Sequence, residues 1–60
     1  MKKYYSADFP QKTADKLKVF LKQNNIYFEP SACYNLIHFE VLASPEEIDK
    51  VNNFLDTLLK

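Results

Sequence analysis

Alternation in the aromatic-rich KYYSADF, the long apolar run CYNLIHFEVL, and apolar residues at helical spacing in two other stretches predict an α+β chain. The order reads β-α-β-β-α: a two-layer sandwich of three antiparallel strands, sheet order 1-3-2, with both helices on one face. Sixty residues, 47% hydrophobic and 15% aromatic, suffice for one small α/β-sandwich domain over 1–60 and are far from a disordered composition. A chain this short removes only roughly 60% of its accessible surface from water, so a deep cleft is not expected.

The first strand is expected over residues 3–7, where the chain alternates and is rich in aromatics. Asp8 is read as the cap of the first helix, with Gln11 three residues on and Pro10 tolerated in the first turn. Ala14, Leu17, Phe20 and Leu21 recur at helical spacing, and the polar run KQNN ends the helix near Asn24. IYFE, residues 26–29, is the second strand, and Pro30 with Ser31 is expected to turn the chain into the third, CYNLIHFEVL. SPEE then starts the second helix, with Ser44 as cap, Pro45 in the first helical position and Glu47 closing a capping box. Its buried stripe reads Ile48, Val51, Phe54, Leu55 and Leu58.

Handedness sets the topology. A right-handed crossover places the second strand parallel to the first, and the hairpin makes the third antiparallel to the second. The third strand is the most apolar and belongs in the middle. The result resembles a ferredoxin-like unit lacking its last strand, a resemblance of architecture that implies a fold and no activity.

Several chemistries are excluded. One cysteine forms no internal disulfide, and no Cys/His cluster suggests structural zinc. Glycine is absent, which removes phosphate-cradling loops, dinucleotide fingerprints and nucleophile elbows. Eight lysines balance eight acids and there is no arginine, so no blanket affinity for nucleic acid or acidic membranes is encoded. No apolar run follows the two lysines of MKKYYSADFP and none is long enough to span a membrane; a cytoplasmic location is expected.

Parity along the third strand puts Cys33, Asn35, Ile37, Phe39 and Val41 on one face and Tyr34, Leu36, His38, Glu40 and Leu42 on the other. Cys33 should therefore point inward as a small apolar residue and His38 outward, so that the two do not share a metal. Glu46 and Glu47 are accounted for by the positive end of a helix dipole, and no Ser/His/acid order stands out. No enzyme, no cofactor and no metal are expected.

What remains is the uncovered sheet face. If Tyr5 and Ala7 point inward, Tyr4 and Ser6 point outward; if Ile26 and Phe28 point inward, Tyr27 and Glu29 point outward. With Tyr34, Leu36 and His38 this makes a tyrosine-rich surface suited to a contact. The first strand is an open edge, whereas the second carries a proline. The chain is thus read as a protein-binding module, an adaptor, inhibitor or regulatory subunit whose partner is another protein or a second copy of itself. The expected partner-binding residues are Tyr4, Ser6, Tyr27, Tyr34, Leu36 and His38. The alternative is a single-stranded nucleic-acid binder that stacks bases on Tyr4, Tyr27 and Tyr34, with a basic first helix beside them. The composition, rich in Lys, Asn, Ile and Tyr, is that of an AT-rich genome, and very small proteins of phages and plasmids often act by binding a host protein.

Overall fold

A computed structural model describes residues 1–59. The chain runs β1 (Lys3–Pro10), α1 (Gln11–Gln23), β2 (Tyr27–Cys33), β3 (Leu36–Ala43) and α2 (Pro45–Leu58). The sheet order is β1-β3-β2, and β3 pairs antiparallel with both neighbours. The α+β class, the element order and the central position of the third strand are as the sequence predicts.

Both helices pack on one face of the sheet. Phe39, Val41 and Ala43 of β3 form a buried cluster with Ala14, Leu17 and Leu21 of α1, Ile26, and Val51 of α2. Each sits at the spacing that turns it to that side, two apart in the strand and three or four apart in the helix. Phe39 is flanked by Phe9 edge-on at 5.9 Å and by Phe28 stacked at 5.8 Å, one from each edge strand. The helices meet through stacked Phe20 and Phe54, centroids 4.2 Å apart. Contact between the basic α1 and the acidic α2 is therefore aromatic, and no ion pair joins them among the described residues.

Two helix ends follow local chemistry closely. At the start of α2, Ser44 Oγ accepts from the Glu47 amide at 3.2 Å and Glu47 Oε1 accepts from the Ser44 amide at 2.9 Å, the expected capping box. At the end of α1, Asn25 lies at φ 55°, the Asn25 amide donates to the Lys22 carbonyl at 3.2 Å, and the Ile26 amide donates to the Leu21 carbonyl at 2.9 Å. These paired bonds are a Schellman ending with asparagine in the position glycine usually takes. It draws Ile26 back onto Leu21, both buried, so Ile26 belongs to the helix ending and not to the second strand as expected.

Three further boundaries differ from expectation. β1 continues through Asp8 and Phe9 to Pro10, so Asp8 is not a helix cap; Pro10 takes that position, with no side-chain cap bond. Asp8 is held in the strand by its cross-strand partner His38. Pro30 and Ser31 do not turn the chain. They lie inside β2, where an edge strand tolerates a residue without an amide proton. The reversal comes at Tyr34 and Asn35, between Cys33 paired with Leu36, and Tyr34 adopts φ 56°. A two-residue hairpin needs a positive φ there. Because Pro10 closes β1, both edge strands carry a proline, contrary to the reading that only the second does.

Candidate interaction surface

The register lays out the uncovered face in rows of three, one residue from each strand: Tyr4, Leu42 and Tyr27; Ser6, Glu40 and Glu29; Asp8, His38 and Ser31; Pro10, Leu36 and Cys33. Five of the six expected contact residues stand here, Tyr4, Ser6, Tyr27, Leu36 and His38. Tyr34 does not. It protrudes from the hairpin fully exposed, because the turn consumes Tyr34 and Asn35 and removes them from the strand. The same turn reverses the parity of Cys33, which pairs with Leu36 at the outer corner and is exposed instead of pointing inward.

Two tyrosines, not three, therefore share this face, and they bracket Leu42 at one end. Beyond them the face is acidic. Glu29 and Glu40 are directly opposite each other, an arrangement that disfavours pairing. One neighbour eases it, the Tyr27 hydroxyl, which donates to Glu29 at 2.8 Å; His38 Nε2 lies 3.9 Å from Glu40. The Glu29 carboxylate in turn pushes the Tyr27 pKa above the ordinary 10.0, chiefly by accepting that hydrogen bond. His38 also places Nδ1 2.6 Å from Asp8 Oδ1, which makes Nδ1 the donor to a carboxylate that accepts. The imidazole thus sits between two carboxylates on adjacent strands. Among the described residues, no group of three or more His, Cys, Asp and Glu side chains is disposed to hold a metal ion.

The helix side of β1 holds a feature that sequence reasoning missed. Between β1 and α2 runs an apolar groove of about 250 Å³, walled by Tyr5, Ala7 and Phe9 on the strand and by Ile48, Asn52 and Leu55 on the helix. Ala7 points to the helix side yet is exposed, while Tyr5 and Phe9 are half-buried. The signal in the sequence was the small residue between two aromatics on the inner parity of an edge strand; its meaning depends on where α2 lies. The groove follows the free edge of β1, whose other edge is committed to β3.

No helix among the described residues is long and apolar enough to cross a membrane. Compared with protein-family models, curated proteins and solved structures, the chain matches none.

Proposed function

We propose that the chain is a small protein-binding module that accepts an added strand on the free edge of β1. One observation carries this reading: the unpaired edge runs alongside the apolar groove between β1 and α2. An added strand forms directional backbone hydrogen bonds with the edge, and every second side chain of that strand descends into the groove. On the other side of the sheet the same strand lies beside Tyr4 and Ser6, with Leu36 and His38 one strand further and Tyr27 on the far edge. Tyr4 and Ser6 supply the rim and the groove supplies the apolar centre. Association also suits a chain of this size, whose buried cluster is small and whose stability benefits from surface covered by a partner.

The test is backbone amide exchange measured residue by residue with and without the protein captured from the source cells. The reading expects slowed exchange at β1 amides that exchange fast in the free chain, together with chemical-shift changes at Ala7, Ile48 and Leu55. A partner that slows α1 or the far edge of β2 while leaving β1 unchanged would place the interface elsewhere.

A further inference from the structure

We infer that the strand added to β1 is β1 of a second copy, paired antiparallel about a two-fold axis through Ala7; this rests on the reading of β1 as a docking edge. Opposed residues in an antiparallel pair point to the same face, so a symmetric β1 pair must have its axis on a residue and not between two. Near the middle of the strand the choices are Ser6, Ala7 and Asp8.

The strand is self-complementary about Ala7 alone. Its inner residues read aromatic, small, aromatic, so turning the strand about Ala7 sets Tyr5 opposite the second copy's Phe9, and Ala7 opposite Ala7. Two aromatic pairs then close the ends of the contact. On the outer face Ser6 comes opposite the second copy's Asp8, a hydroxyl that donates to a carboxylate, and Tyr4 comes opposite Pro10. No like charges meet. An axis on Asp8 would set two carboxylates face to face, and an axis on Ser6 would set Lys3 against Phe9 on the apolar side.

The groove supports the same register. With the axis at Ala7 the two grooves face each other, and Tyr5 and Phe9 of each copy project beside the flank of α2 in the other. Ala7, exposed in the single chain, becomes the centre, where two small side chains leave room for the aromatics. A standard interface of ~800 Å² per partner is roughly a fifth of the 4420 Å² accessible surface of the chain. The paired run from Tyr4 to Pro10 and the groove wall at Asn52 and Leu55 are the surface that contributes to it.

The experiment uses the full chain. Sedimentation equilibrium from micromolar to millimolar concentration should give a mass rising towards twice the monomer, and Ala7→Lys should remain at monomer mass while its circular dichroism stays folded, because Ala7 is exposed in the single chain. In a Cys33→Ala background, oxidation should cross-link Ala7→Cys at least tenfold faster than Ser6→Cys. A faster Ser6→Cys cross-link overturns the register. A parent chain that stays at monomer mass at millimolar concentration overturns the second copy. In that case, loss of binding to a captured protein by Ala7→Lys keeps the docking edge, whereas unchanged binding removes both readings.

Discussion

At the scale of single residues, the outer face pairs side chains that help and side chains that hinder. Glu29 opposite Glu40 is a like-charge pair, whereas a lysine at position 29 would face Glu40 as an opposite charge. Glu29→Lys is expected to raise stability by about 0.2–1 kcal/mol, read from the urea midpoint. The same substitution removes the acceptor of the Tyr27 hydroxyl, so the Tyr27 titration followed by ring-carbon NMR should fall back towards 10.0. At the other end of the chain's order, the Ser44 amide bond holds the Glu47 carboxyl below the ordinary 4.5, desolvation opposes it, and Lys2 at 3.8 Å assists. A depressed carboxylate pKa contributes stability that is complete above the unfolded value and is lost as pH falls through the folded one. Stability should therefore decline on acidification below about pH 4.5, and Glu47→Gln should flatten that part of the profile. Ser44→Ala removes the reciprocal bond and should cost about 1 kcal/mol at neutral pH.

At the scale of elements, the β2–β3 hairpin is the place where local chemistry and fold disagree. A tyrosine at φ 56° occupies a position that suits glycine or asparagine, and a left-handed residue with a side chain costs about 1–2 kcal/mol. Part of that is returned in the unfolded chain, which glycine makes more flexible. Tyr34→Gly is accordingly expected to stabilise the hairpin by about 0.5–1 kcal/mol in thermal or urea unfolding. If Tyr34 instead packed on the sheet, the substitution would destabilise. The hairpin also bears on nucleic acid, because it removes one of three tyrosines from the sheet while Glu29, Glu40 and Asp8 remain on the face. With no arginine and no net charge, binding of a single-stranded oligonucleotide is expected to be weak at ~0.15 M salt. Submicromolar affinity in a fluorescence anisotropy titration that Tyr4→Ala and Tyr27→Ala abolish would revive the stacking reading.

At the scale of the whole molecule, stability hangs on few side chains. Phe39 is the largest that is fully buried, and it touches an aromatic ring from each edge strand. Phe39→Ala should cost about 3–5 kcal/mol, comparable to the entire stability a core of this size supplies. Circular dichroism is expected to find that variant largely unfolded at room temperature, with Phe39→Leu still folded. A second copy or a partner on β1 would bury Phe9 beside Phe39 and thereby couple binding to the same cluster.

The class of the fold, the order of its elements, the central strand, the inward faces of β3 and both helices, and the capping box of α2 were all legible in the sequence. The central strand rests on the handedness of the crossover and on being the most apolar of the three, and the others rest on periodicity or on a contact within four residues along the chain. The candidate surface was legible only in part, for Tyr4, Ser6, Tyr27, Leu36 and His38 follow from strand parity, but Tyr34 and Cys33 do not. Parity carries along a strand only while the strand is unbroken, and in a chain without glycine the lone Asn35 was a weaker turn signal than Pro30 with Ser31. Pro30 reads as a turn residue until the sheet order shows it on an edge, where its missing amide proton costs nothing. Asp8 reads as a helix cap until His38, thirty residues away, is placed across from it. The groove beside β1 depends on where α2 crosses the sheet, which is set by the packing of Phe39, Leu17 and Val51 together and by no residue alone.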